Sequence, residues 1–487
     1  MRIAAIFAAV ILILAGGYVL SPHTPVSVEG LFSGEDEIVV EAVQPPTPQK
    51  VFNASETVLQ NGMRVVVVPN YRAPVVTHMV WYKVGAAEER AGKSGIAHFL
   101  EHLLFKGSTV IGSQEPLAAG EFSRIIRGMG GNDNAFTSQD YTAYFQSVPA
   151  DALERVMRME AGRMKGALFA QKDVESERKV ILEERRQRTD NDPRGRFGEQ
   201  MQAAAYVNHP YGTPVIGWYH EMEALSLEDA YGFYREYYAP NNATLIVAGD
   251  VAPQKVFDLA AEIYGTLPAN DDLADTDAWR VRTVSPKMHS ETQVSLSHPA
   301  IREPVLQILY RVPSARQDKD ASLALQVLQE ILGGGPSARF YKRLVVEQKL
   351  AVSVGISYRA NAWDDGSAWV YATPAPDVDV MDVKAALLAE LQDVVTNGVT
   401  GTEVSEAVTR MRNEAIYARD SLSEPAMVIG LALSTGSRLD DVEYWPEEIG
   451  QVSAADVKAV AAKFLNPDVP IDTPPVVGVL LPEVSDE

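Results

Sequence analysis

The sequence contains no cysteine among its 487 residues. Without thiols, disulfide bonds and cysteine-based zinc sites are excluded, and so is attachment of a lipid to a processed N-terminal cysteine. Basic residues are also in deficit, because 43 lysines and arginines oppose 65 aspartates and glutamates and give a formal net charge of -22. Nucleic acids and anionic membrane surfaces bind basic proteins, so this charge argues against both as partners.

An apolar run occupies residues 3–20, directly after Arg2. A positive residue before an apolar core is typical of an export signal, and residues 15–17 form an acceptable small-residue cleavage site. Eighteen apolar residues are also just long enough to span a bilayer. We therefore interpret residues 1–20 as a signal peptide or membrane anchor, and we expect an exported protein that is periplasmic or anchored to the membrane. Residues 21–52 are rich in Pro, Glu and Ser and are interpreted as a tether.

The rest of the chain is too long for one ordinary domain and has a natural length for two. Hydrophobic residues make up 46% of the sequence, enough to bury a core in each domain. Runs of β-branched residues alternate with segments of helical periodicity, which predicts mixed α and β structure. A polar, acidic stretch at residues 266–292 is interpreted as a linker between a first domain, residues 53–265, and a second, residues 293–482.

Two histidines and a glutamate are spaced for metal binding on one predicted helix, in the order His98, Glu101, His102. At 3.6 residues per turn the histidines lie at i and i+4 on one face, and Glu101 lies on the same side. Two neutral imidazoles suit zinc, and the carboxylate is placed to take a proton from a metal-bound water. This H-x-x-E-H order is the inverzincin signature. Ser94 is expected to cap the start of the helix.

A zinc site with two histidines needs a third protein ligand, and a second predicted helix offers glutamates for it. Glu177 and Glu184 are seven residues apart, or two helical turns, and therefore share one face. Glu183 competes for the ligand position, although its side chain points roughly 100° away around the helix. From spacing alone, each of these glutamates is equally a solvated surface carboxylate. His209 lies among turn residues and is not assigned to the metal.

These motifs resemble the pitrilysin, insulin-degrading enzyme and mitochondrial processing peptidase family of zinc metallopeptidases, and the resemblance covers most of the chain after the tether. It implies a short two-domain member of bacterial type that binds one Zn2+ through His98, His102 and Glu184. It further implies that Glu101 is the general base and that Glu177 is a supporting carboxylate of the catalytic site.

The resemblance also implies an α+β fold of two similar domains that face each other across a cleft. Each domain is expected to be a mostly antiparallel sheet with helices packed on one side. The residues from Asn134 to Ser138 are similar to a family strand that lies beside the zinc at a sheet edge, where a substrate peptide pairs with it by β-augmentation. Asn134 and Ala135 are therefore expected to contact the substrate backbone.

The second half repeats features of the first half without the metal motif. Residues 302–305 echo residues 72–75, and a helix predicted over 321–332 takes the place of the metal helix but presents an apolar face instead of histidines. Residues 333–335 are three glycines that end this helix, and no Lys-Ser/Thr follows at the spacing of a phosphate-binding loop. We predict a metal-free homologous domain.

The function predicted from these features is zinc-dependent endopeptidase activity on peptides or unfolded segments. A non-catalytic peptide-binding or assembly scaffold of the same fold is the alternative, and loss of the zinc motif would mark it. A third hypothesis is a module that holds extended peptides on the strand containing Asn134 without cutting them, in which case zinc has no effect.

The chain departs from the family pattern at two positions of the second half. Active single-chain relatives carry an arginine and a tyrosine seven positions apart there, whereas this chain has Val345 and Val352. Neither valine donates a side-chain hydrogen bond, and a transition state needs donors placed in advance. We therefore predict that this chain is the zinc-bearing subunit of a heterodimer with a related, zinc-less chain. The alternative is a homodimer whose donors come from elsewhere, such as Arg339 or Tyr341.

Overall fold

The computed structural model describes residues 50–468 and 474–483. The predicted signal peptide or anchor, and the tether as far as residue 49, lie outside the described residues. Within the described part of the chain, no helix combines the length and the apolarity needed to cross a membrane.

Each half of the chain contributes one β-sheet. The strands of the first sheet are β1 (Ser55–Val58), β2 (Arg64–Pro69), β3 (Val75–Tyr82), β4 (Asn132–Thr137), β5 (Thr142–Pro149) and β6 (Ala243–Gly249). The strands of the second sheet are β7 (Thr292–His298), β8 (Val305–Val312), β9 (Ala351–Arg359), β10 (Gly366–Pro374) and β11 (Val476–Pro482). The apolar, β-branched runs in β2, β3 and β6 are buried, as expected of central strands.

The second sheet repeats the strand order of the first. The first sheet runs β1-β2-β6-β3-β5-β4, and the second runs β7-β11-β8-β10-β9. In each sheet one neighbouring pair is parallel, β2 with β6 and β7 with β11, while the other pairs are antiparallel. In chain order, β7 to β11 take the places of β2 to β6. The predicted α+β fold of two similar, mostly antiparallel domains is confirmed.

Helices follow the strands in both halves. Those of the first half are α1 (Ile96–Leu103), α2 (Glu121–Gly128), α3 (Leu153–Lys165), α4 (Gln171–Arg185), α5 (Pro193–Ala205), α6 (Tyr219–Ala224), α7 (Leu227–Tyr237), α8 (Pro253–Ile263) and α9 (Thr276–Trp279). Those of the second half are α10 (Lys319–Gly333), α11 (Val380–Asn397), α12 (Gly401–Ala418), α13 (Glu424–Ser434), α14 (Leu439–Glu443), α15 (Trp445–Ile449) and α16 (Ala454–Phe464).

Most helices of each half pack on one face of their own sheet. In the first domain, α1, α3 and α8 bury apolar side chains against β2 and β3. In the second domain, α10, α11 and α16 do the same against β8 and β10. Helix α10 lies between β8 and β9 in the chain, as α1 lies between β3 and β4, and its Ala324, Leu325 and Leu328 are buried. Helix α10 thus takes, in the second domain, the place that α1 takes in the first, and it presents apolar side chains where α1 carries histidines.

The opposite face of each sheet is covered by a helix from the other half. Helix α13 packs on β3 and β6, where Ile429 and Leu433 contact the cluster around Trp81. Helix α5 packs on β7, β8 and β11, where Phe197 and Met201 join a second such cluster. Both sheets have apolar side chains on two faces, so each needs this second layer. The exchange of α5 and α13 interlocks the two halves.

The predicted linker contributes buried arginines to the junction of the two halves. The side chains of Arg280 and Arg282 are 0% and 4% exposed. Arg280 Nε donates to Glu88 Oε1 at 2.9 Å. Arg282 Nη1 donates to Asp140 Oδ1 at 2.7 Å in the first half and to Asp364 Oδ2 at 3.0 Å in the second. This segment is thus a structured part of the domain junction.

Candidate metal centre

Helix α1 carries His98, Glu101 and His102. Its apolar face is buried in the core of the first domain, mainly through Phe99 and Leu103. This burial fixes the helix against the sheet and sets the direction in which its polar side chains project.

The start of α1 is capped differently from the sequence-based expectation. Ser94 was predicted as the cap, but its Oγ accepts from the backbone N–H of Trp218 at 2.8 Å. Gly95 occupies the cap position in the left-handed region, with φ of 86°. The carboxylate of Glu89 instead accepts from the N–H groups of Gly95 and Ala97 at 2.8 and 2.9 Å. A serine side chain is local, whereas this cap comes from a separate turn, so the sequence pattern did not reveal it.

His98, His102 and Glu184 form a group that could hold a metal ion. One ligand atom from each residue lies within 4.8 Å of those of the other two. The Oε2 atom of Glu184 is 3.8 Å from His98 Nε2 and 3.5 Å from His102 Nε2. Helix α4, which packs on α1, supplies this carboxylate from its last turn. The structure thus brings together the three ligands that the resemblance implied.

Glu177 lies behind the metal-binding group rather than within it. His102 Nδ1 donates to Glu177 Oε2 at 3.2 Å, and Lys106 Nζ is 2.5 Å from Glu177 Oε1. Burial raises the pKa of Glu177, but the hydrogen bonds from His102 and Lys106 lower it overall. A carboxylate bound to one ring nitrogen fixes the imidazole so that the other nitrogen faces the metal position. Glu177 therefore orients His102.

Glu101 lies beside the metal-binding group and is held by the edge strand. Thr137 Oγ1, on β4, donates to Glu101 Oε2 at 2.6 Å. Burial raises the pKa of Glu101, although the hydrogen bond from Thr137 lowers it in part. Only one oxygen is engaged by this bond, and a raised pKa makes a carboxylate a better proton acceptor near neutral pH.

The two histidines of the group differ in how readily they are protonated. Burial lowers the pKa of His98 to about 3, so its ring is neutral at physiological pH. Burial also acts to lower the pKa of His102, but the hydrogen bond to Glu177 and the nearby carboxylates raise it overall. A cation bound between the two imidazoles and Glu184 would favour the neutral form of His102, because a protonated ring nitrogen cannot serve as a metal ligand. The donor set of two imidazole nitrogens and one carboxylate oxygen fits a zinc ion with an open fourth position.

The competing ligand, Glu183, points away from this group. Its side chain is 53% exposed and pairs with Arg186 at 3.0 Å. Hydrogen bonds from Gln187 and Arg186 lower the pKa of Glu183. Adjacent residues of an α-helix project about 100° apart, so Glu183 faces away from the histidines that Glu184 faces.

Asn134 and Ala135 lie on β4, the last strand of the first sheet. Strand β4 hydrogen-bonds to β5 on one side and contacts α1. The Asn134 side chain is partly buried, and its Oδ1 accepts from the N–H of Ala135 at 2.9 Å. Ala135 is 8% exposed. The predicted substrate strand is therefore an edge strand beside the metal helix, while its contact with a peptide stays a prediction.

His209 belongs to the domain junction and not to the metal group. Its Nδ1 accepts from the N–H of Tyr211 at 3.1 Å, and its Nε2 lies 3.2 Å from Asp364 Oδ2. The hydroxyl of Tyr211 donates to Asp140 Oδ1 at 2.7 Å. These bonds explain the polar residues of this turn without a metal.

Val345, Val352, Arg339 and Tyr341 of the second half have defined places. Val352 is 49% exposed on β9, and Val345 packs against the second core. Arg339 is bound within its own domain, because its Nε and Nη2 donate to the two carboxylate oxygens of Glu403 at 2.5 and 2.7 Å. Tyr341 begins a π-helical turn next to it. Arg339 is therefore committed to a structural ion pair.

Sequence reasoning missed one charged residue at the metal group. Arg188 Nη1 lies 2.8 Å from Glu184 Oε1, the oxygen that faces away from the histidines. Its position, four residues after Glu184 on the same helical face, was the signal that could have revealed it.

Comparison with known proteins agrees with the fold and the motif. Residues 64–217 match the family model described as insulinase, peptidase family M16, and residues 224–411 match the model described as the peptidase M16 inactive domain. A relative from Helicobacter pylori, zinc protease PqqE, is 32% identical over 369 residues, which cover 76% of this chain and 80% of the relative. An uncharacterized zinc protease from Mycobacterium leprae is 30% identical over 422 residues, covering 84% of this chain and 89% of the relative.

A solved structure supports the same assignment. The crystal structure of a protease from Helicobacter pylori superposes with a TM-score of 0.79 at 29% identity, covering 88% of this chain and 99% of that chain. A two-domain fold that carries an H-x-x-E-H helix in its first half has the motif of the inverzincin class of peptidases. The chain belongs to peptidase family M16, and the family predicted from its motifs is confirmed.

Proposed function

We propose that this protein is a zinc-dependent endopeptidase that hydrolyses peptides or unfolded protein segments. The observation that carries the proposal is the convergence of His98, His102 and Glu184 within 4.8 Å, with Glu101 on the same helix. The names of the relatives, which are zinc proteases, support it further.

A bound zinc ion would polarise the scissile carbonyl and lower the pKa of a water molecule. Side chains of this protein would transfer the proton and position the reacting groups. Glu101 accepts the proton of the attacking water and passes it to the leaving amine. Thr137 holds the carboxylate of Glu101 through its 2.6 Å hydrogen bond and links it to the strand that would bind the substrate. Glu177 keeps the His102 ring oriented.

The peptide would bind along β4 as an added strand. An edge strand offers backbone N–H and C=O groups that an extended peptide pairs with, so the affinity comes mainly from the main chain. Asn134 and Ala135 would supply this contact three and two residues before Thr137 on the same strand. Such binding suits peptides or unfolded segments, because folded substrates do not expose an extended backbone.

Digestion of a peptide library with and without a chelator tests the peptidase proposal. We expect cleavage that stops on chelation and returns with zinc. A non-catalytic scaffold of the same fold is the second candidate, favoured by the name of the inactive-domain model that matches residues 224–411. Zinc-loaded protein that binds peptides but leaves them intact in every assay, including assays with its partner, would support the scaffold.

We further propose that the chain is the zinc-bearing subunit of a heterodimer. Val345 and Val352 supply no donors, and Arg339 is held by Glu403, which weakens the homodimer alternative. A related, zinc-less chain would complete the cleft. Strong peptidase activity of the purified chain alone, with zinc and without any partner, would overturn this subunit assignment.

We also propose export of the protein, on the basis of the apolar residues 3–20. Fractionation of producing cells tests this proposal, with recovery in the periplasm or the membrane fraction as the expected result. Recovery of the full-length chain in the soluble cytoplasmic fraction would contradict it.

A further inference from the structure

Arg188 presents a positive charge at the metal-binding group. Its Nη1 lies 2.8 Å from Glu184 Oε1, while the other oxygen of Glu184 faces the two histidines. The Arg188 side chain is nevertheless 63% exposed, against 19% for Glu184. A guanidinium has five N–H donors in a rigid fork. One of these donors binds Glu184, and the donors on the exposed part of the guanidinium can bind another acceptor.

The backbone under Arg188 is held firmly. Helix α4 ends at Arg185 and continues as a π-helical turn, Arg186–Asp190, and such turns are frequent at functional sites. Arg185, which is 5% exposed, donates to Glu199 Oε2 at 2.8 Å and to Gly217 O at 2.7 Å. Within the turn Thr189 is also buried. Arg188 therefore projects from an anchored turn rather than from a loose loop.

The same turn carries an arginine that does not face the site. Arg186 pairs with Glu183 at 3.0 Å, and both side chains are about half exposed. Glu183 points away from the histidines, so Arg186 lies on the outer surface. The two arginines are alike in chemistry, exposure and backbone setting, and they differ in which glutamate they contact.

We propose that Arg188 binds the substrate and selects peptides that carry a carboxylate close to the scissile bond. The carboxylate would come from an acidic side chain or from a free C-terminus. The proposal rests on the peptidase function proposed above. Arginine recognises carboxylates through charge-assisted, often bidentate hydrogen bonds, and the exposed part of its fork provides these.

The short distance to the metal-binding group limits where this carboxylate can be. Arg188 contacts a residue whose carboxylate lies within 4.8 Å of the histidine ligand atoms. An extended peptide rises roughly 3.3 Å per residue. The selected carboxylate therefore belongs to a residue within about two positions of the scissile bond.

The acidity of the whole protein acts in the opposite direction. A net charge of -22 repels anionic peptides at long range and slows their approach. Contact with Arg188 acts after the peptide has reached the site. It changes the ratio of kcat/KM between two peptides of otherwise identical sequence. Selectivity is therefore best measured between matched peptides that differ in one carboxylate.

The experiment compares full-length, zinc-loaded variants on peptide pairs. In each pair Glu replaces Gln at one position, and a second series has an amidated or a free C-terminus, which separates the two carboxylate sources. Cleavage is measured as kcat/KM for the wild type, Arg188→Gln, Arg188→Lys and the control Arg186→Gln, together with zinc content. Binding of the same peptides is measured in the Glu101→Gln background, where cleavage is expected to be strongly reduced.

We expect the wild type to prefer one carboxylate-bearing peptide by about fivefold, the size of a partly exposed charged hydrogen bond. Arg188→Gln should reduce this ratio to about one, Arg188→Lys should retain part of it, and Arg186→Gln should retain all of it. A wild type without preference, or an equal loss on both peptides in Arg188→Gln, overturns the proposal. Arg188-dependent binding selectivity without any cleavage, both for the chain alone and together with its partner subunit, would instead refute the peptidase function and leave the role of Arg188 standing.

Discussion

The carboxylates of the metal centre differ in what holds each of them. Glu184 faces two histidines and Arg188, Glu177 is bonded to His102, and Glu101 accepts a hydrogen bond from Thr137. These separate environments assign separate roles to chemically identical groups. The roles can be tested one at a time by glutamine substitutions, which keep the shape and remove the charge.

Glu101→Gln should retain zinc and lose peptide hydrolysis. The substitution removes the base and leaves the three ligands intact, so the expected loss in kcat is about 10²- to 10⁴-fold. Zinc content and hydrolysis are measured on the same preparation, with wild type assayed in parallel. Full activity in this variant would rule out Glu101 as the base.

Glu184→Gln should weaken zinc binding far more than Glu183→Gln. Only Glu184 lies beside the histidines, whereas Glu183 is 53% exposed and bound to Arg186. The two residues are adjacent on one helix, so Glu183→Gln is a matched control for any loss of helix stability. Titration with a competing chelator measures both affinities, and equal values would refute the ligand assignment.

The residues that could be predicted from the sequence are those with a periodic relation. His98 and His102 are separated by one helical turn, and Glu177 and Glu184 by two, so their shared faces follow from helix geometry. The cap of α1 could not be predicted, because Glu89 reaches it from a separate turn. Arg188 was missed because Glu and Arg four residues apart are common on exposed helices, so this spacing does not by itself mark a functional residue.

The elements of the first and second domains were largely predictable, but the exchange of helices between them was not. Strand β2 is a continuous run of β-branched residues, and helix α16 has an apolar face of helical spacing. The sequence of helix α13 is that of an ordinary apolar helix. Its pattern does not indicate which sheet the helix will cover. That choice depends on surfaces distant in the chain, such as the one around Trp81.

Gly430→Ala in α13 should destabilise the protein. A Cβ atom at this position would lie 2.0 Å from the ring of Trp81. Overpacking of this kind costs about 1–3 kcal/mol. The urea midpoint of unfolding measures the effect. In Gly232→Ala, the control in α7, a Cβ has no atom within 4 Å, so the midpoint should be unchanged or slightly higher. Equal midpoints for Gly430→Ala and the wild type would contradict the packing of α13 on β3.

At the scale of the whole molecule, a buried ion network joins the two halves. Asp140 follows β4, the strand beside the metal helix, and receives hydrogen bonds from Arg282 in the linker and Trp363 in the second half. Glu88, which binds Arg280 and Arg282, precedes the Glu89 that caps α1. The orientation of the second domain and the position of the metal helix are therefore tied to the same few charges.

Asp140→Asn should destabilise the protein in a pH-dependent way. Burial raises the pKa of Asp140, but the charges of Arg282, Arg359 and Arg280 lower it to about 2 from an ordinary value of 3.8. The stabilisation is therefore fully present above pH 3.8 and is lost as the pH falls through about 2. At neutral pH the loss should be about 3 kcal/mol, because the substitution removes a buried negative charge that partly compensates several arginines.

Urea midpoints of wild type and Asp140→Asn, measured over a range of pH, test this prediction. The difference between them should be constant at neutral pH and shrink in acid. Asp258→Asn, on the exposed face of α8, serves as the control and should not change the midpoint at neutral pH. A difference that grows as the pH falls would contradict the charge network.

X-ray absorption at the zinc edge, on the full-length chain loaded with one equivalent of zinc, tests the metal centre most directly. We predict two imidazole nitrogens and a carboxylate oxygen at about 2.0–2.2 Å, with one further light ligand. We also predict loss of this signature in His98→Ala and in Glu184→Gln. Failure to bind zinc, or an unchanged coordination in both variants, would contradict the assignment of His98, His102 and Glu184 as the metal site.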